Sequence, residues 1–103
     1  MRVMLKATMP VDASNEAIRS GKLNKTIEQV LAELKPEAAY FLLEGGQRTV
    51  LLVINMEQSS QIPPTVEPFF LTVNAKVELI PCMNRDDLEK GLTGLQDMIK
   101  RYG

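Results

Sequence analysis

The chain has 103 residues, of which 45% are hydrophobic and 24% charged, values typical of one small globular domain. The net charge of −1, with basic residues scattered along the chain, removes the usual electrostatic basis for binding nucleic acid or an anionic membrane. Histidine is absent and Cys82 is the only cysteine, which excludes an intramolecular disulfide, His-based catalytic triads, His-ligated haem and His-containing zinc sites.

The pattern of apolar residues in the first third of the chain predicts one strand followed by a helical segment. Residues 2–9, RVMLKATM, alternate in polarity and predict a strand that ends at Pro10. Asp12 is expected to cap the following helix, which Gly21 breaks or kinks. The helical pattern then resumes with one apolar stripe, formed by Leu23, Ile27, Val30, Leu31 and Leu34. Pro36 ends it, because the residue before a proline resists helical geometry.

A hairpin is predicted next, with strands near 37–44 and 47–56 joined by a Gly45-Gly46 turn. Paired glycines supply the positive φ angles that tight hairpin turns need. Both strands are apolar at odd and at even positions, so the hairpin is apolar on both of its faces. The sequence alone therefore leaves open which hairpin face is covered by helices.

The last part of the chain predicts helix, strand and helix. Residues 59–74 have helical spacing of their apolar residues despite three prolines, and Pro68 is expected to kink the middle of this helix. Residues 75–83 alternate and predict a strand. Asn84 is expected to cap a final helix, whose apolar stripe runs from Leu88 to Tyr102.

The element order β-α-β-β-α-β, with an extra C-terminal helix, predicts a single α+β domain spanning residues 1–103. It is the split β-α-β arrangement of ferredoxin-like folds, a four-stranded antiparallel sheet with both helices on one face. The second face measures roughly 400 Å² of flat sheet and is partly apolar. Monomers rarely expose apolar patches above about 300–600 Å², so we expect a homodimer that covers this face.

The stretches MRVMLKATMPVDASNEAIR, LKPEAAYFLLEGGQRTVLLVINM and EPFFLTVNAKVELIPCM, which together cover most of the chain, resemble the dimeric α+β barrel superfamily of ferredoxin-like proteins. The chain especially resembles small, uncharacterised bacterial members. The resemblance implies two sheets packed face to face around a barrel-like space. Some members are cofactor-independent isomerases or monooxygenases, and others degrade haem with a histidine ligand that this chain lacks. No catalytic motif of these branches is found in the sequence.

Four side chains are candidates for binding a ligand between the sheets. Lys6 and Glu78 are expected on the uncovered face of neighbouring strands, either as a binding or catalytic pair or as a structural ion pair at the dimer interface. Tyr40 and Arg48, on the hairpin, could each orient a ligand or serve only in packing. With a two-residue turn, Leu43 is expected to pair with Arg48.

The function predicted from the sequence is binding of a small apolar or weakly acidic ligand within a homodimer. The alternatives are a cofactor-independent isomerase or monooxygenase, and a purely structural dimeric module. We expect no metal and no organic cofactor, and no nucleic-acid or membrane partner. A single cysteine and the absence of a recognisable signal peptide favour a cytoplasmic location.

Overall fold

Four antiparallel strands form the sheet that the alternating segments predict, in a computed structural model that describes residues 1–103. The strands are β1 (Arg2–Met9), β2 (Ala38–Glu44), β3 (Gln47–Asn55) and β4 (Lys76–Pro81). The helices are α1 (Val11–Arg19), α2 (Lys22–Leu34), α3 (Ile62–Val73), α4 (Arg85–Gly91) and α5 (Leu95–Tyr102). The strands lie in the order β2-β3-β1-β4. The prediction of an α+β chain is therefore confirmed.

The first helix begins earlier than predicted, and Asp12 does not cap it. α1 starts at Val11, because the Pro10 carbonyl already accepts a bond from the Ser14 backbone N–H, at 2.9 Å. Asp12 lies inside the first turn, where its side chain accepts from the adjacent Ala13 N–H. The predicted break at Gly21 is confirmed: this glycine has φ of 80° and separates α1 from α2.

The hairpin turn has the backbone conformation that the two glycines predict. Gly45 and Gly46 have φ values of 58° and 75°, a region that residues with a Cβ atom rarely adopt. A Cβ atom at either position would have no neighbouring atom within 4 Å. Glycine is therefore required by the positive φ angles and not by a lack of space. The turn fixes the register, and Leu43 lies opposite Arg48 as expected.

The core lies between one sheet face and helices α1–α3. On β1, Val3, Leu5, Ala7 and Met9 are all buried on this helix-covered face. Other elements contribute the buried residues Val50, Leu52, Ile54, Ala17, Leu23, Val30, Phe69 and Val73. The helix α3 carries Pro68 in its interior, as predicted.

The C-terminal segment, residues 85–102, projects from the rest of the chain and is called the C-terminal arm below. Asn84 caps it as predicted, accepting the Asp87 N–H at 2.8 Å. The expected single helix is instead divided into α4, a 3₁₀ turn at Leu92–Gly94 and α5, because Gly91 and Gly94 are weak helix formers. The chain measures 58 × 28 × 21 Å. None of its helices is both long and apolar enough to cross a bilayer.

Candidate ligand-binding surfaces

The face of the sheet opposite the helices, called the open face below, carries no other element of the chain. Strand register assigns its residues, because directly paired residues point to the same side of a sheet. β1 contributes Arg2, Met4, Lys6 and Thr8, which alternate with the buried core residues. Pairing adds Ala38, Tyr40, Leu42 and Glu44 from β2, Thr49, Leu51 and Val53 from β3, and Lys76, Glu78 and Ile80 from β4.

An apolar patch occupies the middle of the open face. Met4 lies between Val53 of β3 and Ile80 of β4, so apolar side chains continue across three strands. Leu51 continues the patch and pairs with Tyr40 on the edge strand β2. The Tyr40 side chain is the most exposed member, with 62% of its surface accessible. The patch offers a flat apolar floor with one phenol group at its margin.

Lys6 is a charged group beside this patch, where it pairs in register with Leu51. Its Nζ forms an ion pair with the carboxylate of Glu44, and the pair spans β3, which separates β1 from β2. The hydrogen bond that Lys6 donates to the Glu44 carboxylate is the main cause that raises the pKa of Lys6, and the charge of Glu78 raises it further. The Lys6 side chain is only 25% exposed.

The expected contact between Lys6 and Glu78 is not the closest one that either residue makes. The two residues are paired in register on neighbouring strands, as predicted. The Glu78 carboxylate, however, lies 3.4 Å from Nζ of Lys76, whereas Lys6 binds Glu44. Sequence reasoning missed Glu44, although it shares strand parity with Tyr40 and directly precedes the glycine turn.

Arg48 lies on the helix-covered face and not with the other three candidates. It pairs with the buried Met9, and its Nη1 donates to Ser14 Oγ at 2.6 Å and to Asn15 Oδ1 at 2.9 Å. A third, longer contact reaches the carbonyl of Val11 at 3.5 Å. Arg48 therefore holds the start of α1 against the sheet. The four candidate residues do not form one site.

Beside Arg48 lies an apolar groove, called the α2–hairpin groove below. It has a volume of about 610 Å³ and is open to solvent. Leu23 and Ile27 of α2 form one wall, and Phe41 and Leu43 of β2 form the other. The helix layer leaves β2 uncovered here, because 59% of Phe41 and 74% of Leu43 is accessible although both point to the helix side.

A third polar cluster joins the root of the C-terminal arm to the sheet. Arg2 forms ion pairs with both Glu37 and Asp87, and the backbone N–H of Cys82 donates to the Arg2 carbonyl at 3.1 Å. The backbone N–H of Asn84 is the main cause that lowers the pKa of Asp87, with Arg2 acting in the same direction. The hydrogen bond to Glu37 is likewise the main cause that raises the pKa of Arg2.

No group of three or more acidic or cysteine side chains has an arrangement suited to a metal ion. Comparison of the sequence with known protein families and with curated proteins found no match.

Proposed function

We propose that the chain is a ferredoxin-like domain of the dimeric α+β barrel kind. In this proposal it forms a homodimer through its open sheet faces and binds a small apolar or weakly acidic molecule between them. The strand order β2-β3-β1-β4 supports the fold assignment, because interleaved split β-α-β units have this order. The observation that carries the dimer is the open face, whose apolar patch no element of the chain covers.

The composition of the open face supports a ligand between the sheets. The patch that includes Met4 and Leu51 suits an apolar ring or chain, and the Tyr40 hydroxyl can donate or accept a hydrogen bond at its margin. Lys6 has three N–H donors, and Glu44 is the only group that binds its Nζ. Donors therefore remain for a carboxylate or phenolate of the ligand.

The dimer is tested first, by light scattering at micromolar concentration. We expect about twice the chain mass of 11.5 kDa. A monomer under these conditions would refute the proposed assembly. Native mass spectrometry of the same sample, without added ligand, detects any small molecule that copurifies with the dimer.

Ligand binding is tested with 2-naphthoate, an aromatic carboxylate whose fluorescence reports its surroundings, and with its uncharged amide as a matched probe. We expect saturable binding, with the carboxylate preferred, and about tenfold weaker binding to Lys6→Met, the ratio that corresponds to one charge-assisted contact. Lys76→Met removes the same charge from the rim of the same face and should leave the affinity unchanged. Equal affinity of the wild type and Lys6→Met would contradict the role of Lys6, and absence of any saturable binding would contradict the site.

A further inference from the structure

The C-terminal arm is an amphipathic segment without a partner. None of its residues is buried, and its apolar stripe comprises Leu88, Leu92, Leu95, Ile99 and Tyr102, which are 42–83% exposed. The radius of gyration of the chain is 17.0 Å, against about 13 Å for a compact domain of about 100 residues. The arm is therefore joined to the sheet at its root, where Asp87 binds Arg2, and its apolar stripe is left exposed by its own chain.

An arm of this kind needs a surface to cover its stripe. Isolated helices shorter than about 12–15 residues are marginal in water, and α4 and α5 have only 7 and 8 residues. The exposed part of the stripe amounts to roughly 240–430 Å², if a buried aliphatic side chain contributes about 60–120 Å² and an aromatic one about 150–250 Å². Burial of that area against protein would stabilise the helical arm.

The α2–hairpin groove is a surface of matching character on the same chain. Its walls, Ile27 on α2 and Phe41 and Leu43 on β2, are apolar and border an open groove of about 610 Å³. On the same side of the sheet, the apolar residues of β1 and β3 are buried beneath helices α1–α3, whereas Phe41 and Leu43 remain exposed. The apolar face of a further helix would cover these walls, and the stripe of the arm is such a face.

The arm cannot fill the groove of its own chain in this conformation. It starts next to β4, at the end of the sheet where β1 begins, since Cys82 bonds to Arg2. The groove lies at the opposite edge, on β2, and near the other end of β1 at Met9. Arg2, which holds Asp87 at the root of the arm, belongs to the open face. The arm therefore leaves the domain at the β4 edge, away from the groove of its own chain.

We propose that the C-terminal arm of each copy lies in the α2–hairpin groove of the other copy, as a third helix beside α2. The inference rests on the homodimer of the proposed function, but not on the sheet-to-sheet contact. Two arms and the two groove surfaces they cover would together bury roughly 1,000–1,700 Å², a range that overlaps the size of a standard stable protein interface. Tyr102, at the far end of the stripe, would supply a large amphipathic anchor.

The arrangement is tested by disulfide trapping between two differently tagged copies in a Cys82→Ser background. One copy carries Leu43→Cys in the groove, and the other carries Leu95→Cys on the stripe. A disulfide requires Cα atoms within about 7 Å, so a high yield between copies locates the arm in the groove. Thr93→Cys, on the other side of the arm, and Leu71→Cys, exposed on α3, are the matched controls and should react severalfold less.

Two results would overturn the arm exchange. One is a yield between copies no higher than that of the controls. The other comes from a variant that carries both Leu43→Cys and Leu95→Cys on one chain: it is a disulfide that forms only within that chain and never between copies. If the cysteine pair of Leu43→Cys and Leu95→Cys does not crosslink the copies while Tyr40→Ala still weakens the dimer, the arm exchange is wrong and the sheet contact stands. If this cysteine pair crosslinks the copies while Tyr40→Ala leaves association unchanged, the sheet contact is wrong and the exchange stands.

A second measurement uses the full chain without added cysteines. The double variant Leu92→Gln, Leu95→Gln should weaken the dimer at least about tenfold, because both side chains would leave the groove. Its thermal unfolding should remain cooperative, since neither residue is part of the core. Unchanged association of this variant would contradict the exchange.

Discussion

The sharpest test of the open face is truncation of Tyr40. A buried tyrosine contributes about 150–250 Å², and 62% of the Tyr40 surface is accessible in the single chain. Complete burial of that part would be worth about 3 kcal/mol per copy, at 25 cal/mol per Å². A two-fold dimer contains the residue twice, so full burial corresponds to about 6 kcal/mol and half burial to about 3 kcal/mol. Tyr40→Ala should therefore raise the dimer Kd between about a hundredfold and ten-thousandfold.

Sedimentation equilibrium over a range of concentrations measures this Kd directly. Tyr40→Phe keeps nearly all of the apolar area and should change the Kd much less. Leu71→Ala is a matched control, because Leu71 is also a highly exposed apolar residue, at 80%, but lies on α3, away from the open face. A Tyr40→Ala dimer as tight as the wild type would refute the reasoning, which requires the contact between the open faces to bury the Tyr40 side chain.

Three further predictions concern stability and electrostatics. Leu52→Ala removes a fully buried side chain and should lower the free energy of unfolding by about 2–5 kcal/mol in urea denaturation; a loss below 1 kcal/mol would mean that the core is not packed as described. The lowered pKa of Asp87 predicts a contribution to stability that is complete above the unfolded pKa of about 3.9 and is lost as pH falls through the lower folded pKa. Melting curves from pH 5 to about pH 2 should therefore fall more steeply for the wild type than for Asp87→Asn, and parallel curves would argue against the shift. A double-mutant cycle on the free energy of unfolding should show coupling between Lys6→Met and Glu44→Gln, so that the second substitution costs less in the presence of the first. The cycle of Lys6→Met with Glu78→Gln should be nearly additive. The reverse pattern would support the pairing of Lys6 with Glu78 that was expected from the sequence.

Much of the fold could be predicted because most of its strands and helices have one apolar face and one polar face. The strict alternation along β1 identified the buried set from Val3 to Met9 without error. The same prediction was not possible for the hairpin, because both its faces are apolar. The alternation of side chains then does not show which residues face the helices. Only the pairing of Phe41 with Val50, and of Tyr40 with Leu51, fixes which side faces the helices.

The candidate site was predicted less well, for reasons of side-chain reach. Register correctly placed Lys6 opposite Glu78, but a lysine has four methylene groups and can select a partner two strands away. The ion pair with Glu44 follows from that reach and from the position of Glu44 at the end of β2. Arg48 lies on the opposite face of the sheet from the other candidates, because it pairs with Met9. The sequence did not show which hairpin residues belong to which face.

The position of β2 at the border of the sheet has a consequence for solubility. Its sequence, AAYFLLE, contains no proline or lysine, the residues that usually guard an unpaired strand edge, and its single charge is at the last position. A segment of this composition, with free backbone N–H and C=O groups, is a template for cross-β stacking. Substitutions that separate the copies would uncover the side chains on both faces of this strand while its backbone edge stays unpaired, and aggregation of such variants would reflect the uncovered strand and not a failure of the core.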